Sequence, residues 1–273
     1  MLVSIGSLED CAIHATDGNI GHVKDFYFDG ERWVIRYLVV ETGNWLLSRK
    51  VLISPIALGT PDWRQRELPV AITMQQVKDS PDFDTEKPVS RQYEIEYLGH
   101  YGYPSYWAGM GLWGDAPYPS MLMPQLDAGI AASLVQSPEK LATEQVNRQS
   151  GDPSLRSCSE VTHYVVHAID GDVGHISGML VDEQSWAIRY LIVDTGGWWL
   201  GHQVLVTPQW IDEISWVEAT VSIKLTRQAV QDAPRYDWTV GVTREQEARI
   251  HEHYGFAGYW DGEEKKDAEP STA

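Results

Sequence analysis

DGNIGHVKDFYFDGERWVIRYLVVETGNWLLSRKVLISP, residues 17–55, returns as DGDVGHISGMLVDEQSWAIRYLIVDTGGWWLGHQVLVTP at residues 170–208, offset by 153 positions without a gap. The same offset continues outward. Trp63 meets Trp216, Val77 meets Val230, Pro81 meets Pro234 and Asp84 meets Asp237. Tyr101-Gly102 meets Tyr254-Gly255, and Tyr106-Trp107 meets Tyr259-Trp260. A fixed internal period is read before any local pattern. It divides the chain into a first repeat over 1–107, a linker over 108–156, a second repeat over 157–260 and an acidic tail over 261–273. Each repeat is long enough to close its own core.

Within a repeat the first half reads as strands. Runs at 8–16 and 161–169 lead into Asp17-Gly18 and Asp170-Gly171, a pair suited to a tight hairpin turn. Second strands follow at about 20–28 and 173–181. The third strands, Trp33 to Glu41 and Trp186 to Asp194, are rich in β-branched and aromatic residues and apolar on both parities. Strands of that kind are covered on both faces. Thr42-Gly43 and Thr195-Gly196 precede fourth strands at 46–54 and 199–207, which Pro55 and Pro208 end. A fifth strand region falls at 67–72 and 214–225. The turn formers are Gly18, Gly21, Gly43, Gly171, Gly174 and Gly196. Five or six short strands with tight turns predict a small closed barrel, an arrangement that removes exposed edges.

The second half of each repeat changes period. Thr73-Met74-Gln75-Gln76 fits a capping box, and its helix stops before Pro81, as the one from Thr226 stops before Pro234. Second helices begin near Ser90 and Thr243, and the repeats end on YGYPSYW (101–107) and YGFAGYW (254–260). The linker opens as a glycine- and proline-rich loop. Ser137-Pro138-Glu139 then starts a short helix through about Asn147. The tail is polar and predicted to be disordered.

The pattern DGxIGHVxDFYFD…WxIRYLVVxTGNW…KVLISP resembles the PRC-barrel domain. That is the small barrel named from the cytoplasmic part of the H subunit of purple-bacterial photosynthetic reaction centres, and it is similar to the C-terminal domain of a ribosome-maturation factor. The predicted fold class is mainly β with flanking helices: two small PRC-type β-barrels from an internal duplication, each followed by two short helices. The reaction-centre subunit's membrane helix has no counterpart here, and a second barrel occupies the length of the maturation factor's other domain. The resemblance implies adaptor or assembly roles in the cytoplasm and brings no catalytic motif.

Composition narrows the function classes. The formal net charge is −18, and no stretch is basic: acids outnumber bases 15 to 10 in residues 1–110 and 14 to 6 in 157–260. Nothing supplies the attraction to phosphate that nucleic-acid binders use, and an anionic membrane surface is disfavoured on the same ground. A basic or cationic partner fits such a charge. No apolar run reaches the ~18 residues of a membrane helix, and residues 1–10 lack the start of a signal peptide. These features predict a soluble cytoplasmic protein with no direct membrane insertion. Cys11 and Cys158 occupy unmatched places and read as free, inert thiols.

No catalytic constellation stands out. The nine histidines form no HExxH, CxxC or compact cluster, and the glycines follow neither GxGxxG nor a P-loop. There is no GxSxG elbow, so no catalytic, metal or cofactor residues are assigned. Arg36 and Arg189 each interrupt an apolar strand. They read as partners of Asp29, Glu41, Asp182 or Asp194, or alternatively as a carboxylate- or phosphate-binding fork. With those two arginines, Trp45, Trp198, Trp199, Tyr106, Trp107, Tyr259 and Trp260 are the candidate binding or interface residues; the aromatics near the turns and repeat ends read as core or inter-repeat packing or, alternatively, as a ligand box. The favoured function is a non-enzymatic protein-interaction or assembly module, able to form homo-oligomers. The alternative is a small-molecule or cofactor binder using an aromatic groove between the repeats, and a less favoured third is a ribosome- or RNA-maturation-like factor.

Overall fold

The computed structural model describes residues 1–83, 89–107, 109–123, 155–196 and 202–260. The expected linker helix at 138–147, the tail and Trp198-Trp199 lie outside them. The described chain is mainly β with a few short helices. It divides into two compact units that are not contiguous in sequence. The first holds Met1, Val3–Glu160 and Val181–Ile188; the second holds Leu2, Val161–Leu180 and Arg189–Ala273.

The first unit runs β1 (Leu2–Ser4), α1 (Ile5–Leu8), β2 (Ala12–Ala15), β3 (Gly18–Asp29), β4 (Val34–Glu41), β5 (Lys50–Ile53) and β6 (Glu67–Pro69). The helices α2 (Met74–Lys78) and α3 (Arg91–Tyr101) follow. Its sheet has the order β5-β4-β3-β2-β6, and β7 (Leu155–Ser157) adds to β3 with Tyr27 opposite Ser157 and Asp29 opposite Leu155. In β4 every residue from Val34 to Val40 is buried, which is what its β-branched, doubly apolar sequence requires. It pairs antiparallel with both neighbours, Leu38 facing Phe26 on one side and Ile53 on the other.

The sheet does not close into the expected barrel. After β5 the chain enters a 3-10 turn, Pro55–Ala57, and meets the β6 side through isolated bridges, Leu58–Val70 and Asp62–Glu67, and the Gly59-to-Pro69 and Ala71-to-Ala57 hydrogen bonds, without a continuous ladder. Pro55 and Pro69 have no N–H to give, so a continuous ladder cannot form along this seam. The fourth strand is also shorter than its sequence suggests. Asn44–Leu46 form a 3-10 turn, and Leu47 and Ser48 take left-handed backbones at φ 56° and 55°. The Asp17-Gly18 expectation changes as well. The loop between β2 and β3 is Thr16-Asp17, and the Asp17 carboxylate accepts from the Met74 amide at 2.7 Å. It caps the start of α2 beside the Thr73–Gln76 capping box, a helix terminus whose amides need such acceptors.

The second unit contains α4 (Cys158–Val161) in its last residue, then β8 (Val165–Ala168), β9 (Gly171–Asp182) and β10 (Ile188–Asp194). It continues with β11 (Gln203–Val206), β12 (Ile211–Ser215), β13 (Thr220–Ile223), α5 (Arg227–Gln231) and α6 (Arg244–Tyr254). Its sheet is ordered β11-β10-β9-β8-β13-β12, with β1, which gives Leu2 to this unit, beside β9. The Asp170 carboxylate caps α5 through the Arg227 amide at 2.7 Å, and Thr243 with Gln246 forms a capping box on α6. Among the described residues no helix is long and apolar enough to cross a membrane.

Candidate functional site

The chemically richest part of the first unit is a buried cluster between β4 and α3. Arg36, on the otherwise apolar β4, has a fully buried side chain, and its Nη2 lies 3.1 Å from Asp29 Oδ2. Asp29 is itself positioned by the β3–β4 loop, where its Oδ1 accepts from the amides of Glu31 and Arg32. The guanidinium lies 3.9 Å from the Tyr106 ring and 4.8 Å from Trp113, while Nη1 donates to the Leu112 carbonyl at 2.7 Å. Its Nε has no acceptor. Burial pulls the Arg36 guanidinium below its ordinary pKa, and Tyr106 and Asp29 oppose that shift. A buried charge of this kind is tolerated because it is paired and stacked.

Below it lies Glu94 of α3, which is fully buried. Its Oε1 accepts from Tyr37 at 3.3 Å and, at shorter range, from the Tyr106 hydroxyl. Oε2 is 2.8 Å from Arg91 Nη1, close enough for an ion pair yet outside hydrogen-bond alignment. Opposite charges at that separation attract whatever their angle. Burial pushes the Glu94 carboxyl up to about 7, against the pull of Arg91, Tyr106, Arg36 and Tyr37. Arg91 also sits over the Trp107 ring at 4.1 Å.

A strap of chain, described at residues 106–107 and 109–116, covers this cluster. Arg32 donates to the carbonyls of Gly111 at 2.5 Å and Gly109 at 3.2 Å, and Arg36 holds Leu112. Trp113, buried by the strap, donates from Nε1 to the Ser185 carbonyl at 2.7 Å. The loop-like composition expected for this stretch is right, but its packing role was not legible in it. Replacing Trp113 with phenylalanine is expected to lower the stability of the first unit by about 1–2 kcal/mol, because the buried Ser185 carbonyl loses its donor. A shift in urea midpoint with an unchanged slope would measure it.

The second unit holds related residues. The Tyr259 hydroxyl donates to Glu247 Oε1 at 2.6 Å, and Arg244 Nη1 lies 3.0 Å from Oε2. Arg189 lies 4.1 Å from the Tyr259 ring, and Arg244 4.4 Å from Trp260. Here Tyr190 turns to His251 Nε2 at 3.1 Å. The His251 Nδ1 faces the Ala257 carbonyl at 2.9 Å. A carbonyl only accepts, so Nδ1 carries a proton, and in the neutral ring Nε2 accepts from Tyr190. His100 and His253 do similar work in their own units. Each donates from Nε2 to a carbonyl of the preceding short helix, Gln76 or Ala229, at 2.8 Å.

The remaining candidates are dispersed. Trp45, at the β4–β5 tip, donates to the Ile20 carbonyl at 2.7 Å. Gly18 and Gly171 begin β3 and β9, while Gly43 and Gly196 lie in the loops after β4 and β10. Gly21 and Gly174 have a stricter task. With φ of 154° and 144°, they let β3 and β9 pass the Glu41 and Asp194 carbonyls, which an added Cβ would approach to 1.9 and 2.0 Å. Among the described residues, no group of three or more His, Cys, Asp or Glu is placed to hold a metal ion. Sequence reasoning missed Glu94, Arg91, Arg32 and Trp113. For the first two a signal existed: they recur as Glu247 and Arg244 at the 153-residue offset. Arg32 becomes Ser185 at that offset, and the position facing Trp113 is Lys266, so neither carried a repeat signal.

Residues 3–62 match the family model of the PRC-barrel domain. No curated protein matches the chain. The matched segment carries Asp29, Arg36 and Tyr37, whereas Glu94, Arg91, Tyr106 and Trp113 come from beyond it. Residues 3–62 are thus similar to the PRC-barrel domain, and the buried cluster combines residues of that segment with a helix and a strap from beyond it.

Proposed function

We propose that this protein is a non-enzymatic interaction module that docks a cationic protein partner, working in the cytoplasm, and that its 153-residue offset reflects a tandem duplication. Leu47 supports the docking reading most directly. Its side chain is 94% exposed on a left-handed backbone at φ 56°, at the tip of the β4–β5 hairpin. The tip around it is fixed. Thr42 Oγ1 donates to the Arg49 carbonyl at 2.7 Å, and Arg49 donates to the carbonyls of Lys78, Ser80 and Pro81. An apolar residue held out on a rigid, conformationally costly turn suits a binding anchor.

The second unit offers Trp238, 76% exposed, in a turn stabilised by Asp237 accepting from the Thr239 amide and hydroxyl. The net charge of −18 favours a basic partner and fast, salt-sensitive association. The buried arginines, glutamates and tyrosines, by contrast, are engaged with one another. Quantitative cross-linking of the full chain in native lysate should recover a basic protein at stoichiometric yield. Leu47→Asp or Trp238→Ala should reduce that yield by about tenfold, the scale of one lost anchor. Undiminished capture by both variants would refute this reading, as would a partner whose binding ignores salt.

A further inference from the structure

We propose that His163 and His175 of the second unit form a two-imidazole site for one divalent transition ion of the zinc or copper kind, with water at its other positions. The proposal stands apart from the docking reading. It is carried by the placement of the two rings, whose centres are 6.3 Å apart and whose planes differ by 3°. A metal–nitrogen bond takes about 2.0–2.1 Å and a nitrogen lies about 1.1 Å from its ring centre, so one ion spans ring centres up to about 6.3 Å apart. The observed gap sits at that limit. A tetrahedral ion wants about 5 Å, and rotation of the exposed His163 side chain can close the difference.

The backbone fixes the pair. The His163 amide donates to the Ile176 carbonyl at 2.7 Å and the Ile176 amide to the Tyr164 carbonyl at 2.9 Å, while His175 lies opposite Val165 in the β8–β9 ladder. The nitrogens are in the form a metal needs. His163 Nδ1 faces the Thr162 carbonyl at 2.7 Å, so Nδ1 carries a proton and in the neutral ring Nε2 keeps its lone pair. Ligating histidines are oriented in this way, with the second nitrogen donating to a carbonyl. Among the described residues the His175 ring has no hydrogen-bond or ion-pair partner. The first unit shows the same two positions filled differently. At the 153-residue offset they hold Asp10 and His22, and the Asp10 amide donates to the Val23 carbonyl as its counterpart does. There the Lys24 ammonium lies 2.6 Å from Asp10 Oδ1 and supplies the cation itself. Lys24 corresponds to the uncharged Ser177, so only the second unit leaves that place to an ion. Imidazoles select zinc, copper or nickel, whereas calcium and magnesium take oxygen ligands.

The full chain labelled with 15N-histidine and titrated with 113Cd2+, a stand-in for zinc, provides the test. One ion should couple to Nε2 of His163 and to a ring nitrogen of His175 at once. His163→Asn suits the φ of 86° at that position. It and His175→Gln should each weaken Zn2+ binding by at least about tenfold, the scale of a disturbed coordination shell, and His22→Gln should leave it unchanged. Coupling to neither histidine, or to one alone as for an adventitious ion only, overturns the proposal. So does an affinity that survives in either His163→Asn or His175→Gln, or one that falls as far in His22→Gln. If a variant does not fold, the coupling pattern of the wild-type chain decides by itself.

Discussion

Gly21→Ala is expected to unfold the first unit, with a loss above about 4 kcal/mol, the range reached only by severe backbone or core lesions. Two effects act at one atom. The new Cβ would stand 1.9 Å from the Glu41 carbonyl oxygen and 2.8 Å from its carbon, and neither can retreat, because both are backbone of the next strand. The φ of 154° is also one that L side chains rarely adopt. Gly21 pairs with Ile13 just where the β2–β3 register shifts, so relaxation would break pairing on both sides of β3. Gly99→Ala is the contrasting control. Nothing lies within 4 Å of a Cβ there, in the exposed last turns of α3. That change should stabilise by up to about 1 kcal/mol through helix propensity. Soluble yield and urea unfolding of the two variants test the pair. A Gly21→Ala protein unfolding within 1 kcal/mol of wild type, on the scale of ordinary substitutions, would show that the strand crossing can open.

The second large effect is expected at Arg36. Arg36→Ala removes the partner of Asp29, the ring-stacked cation beneath Tyr106 and Trp113, and the donor to the Leu112 carbonyl. Breaking a buried pair from one side costs about 3–5 kcal/mol, because the remaining charge stays uncompensated. Arg36→Met with Asp29→Asn should recover part of that loss, since a neutral pair of similar volume leaves no orphan charge. The single variant should lose stability while keeping partner capture at temperatures where it remains folded. Unchanged melting with abolished capture would reverse the assignment and place Arg36 in the binding surface. A double-mutant cycle with Tyr106→Leu would measure the coupling through the stacked ring.

Much of the strand half was legible because its causes are local and periodic. The burial of Val34 to Val40 follows from apolar residues on both parities. The capping boxes at Thr73 and Thr243 follow from side chains three residues apart. Closure of the barrel was not legible, because it depended on whether two proline-bearing segments could share a ladder. The Leu47-Ser48 turn escaped for a related reason. Its left-handed backbone is held by the Thr42–Arg49 lock and by Arg49 reaching the Ser80 carbonyl after α2, 31 positions away in sequence. The Asp-Gly pair misled because the aspartate serves the amide of Met74, 57 residues away.

The site divides along the same line. Arg36 announced itself as a charge in an apolar strand, and Asp29 was among its candidate partners. Glu94 looked like any helix glutamate; its burial is decided by what covers α3. Trp113 sits in a glycine-rich stretch, and its burial depends on Arg32 and Arg36 gripping carbonyls that carry no side-chain identity at all. Contacts made by backbone acceptors leave no trace in composition.

The membership of residues 155–160 and 181–188 in the first unit has a consequence for how the chain is born. Synthesis runs from the amino end, so β3 emerges long before Leu155–Ser157 exists to cover its edge. Trp113 likewise waits for the Ser185 carbonyl. At about 5–20 residues per second, the ribosome needs roughly 4–14 s to pass from residue 116, the end of the strap, to Ile188. Until Leu155–Ser157 is made, the Tyr27–Asp29 edge of β3 lacks its β7 partner, and until Ser185 is made Trp113 lacks its acceptor, a state open to mispairing. A pause placed before codon 188 would prolong that exposure, and a chaperone that shields strand edges would act on this chain most usefully there.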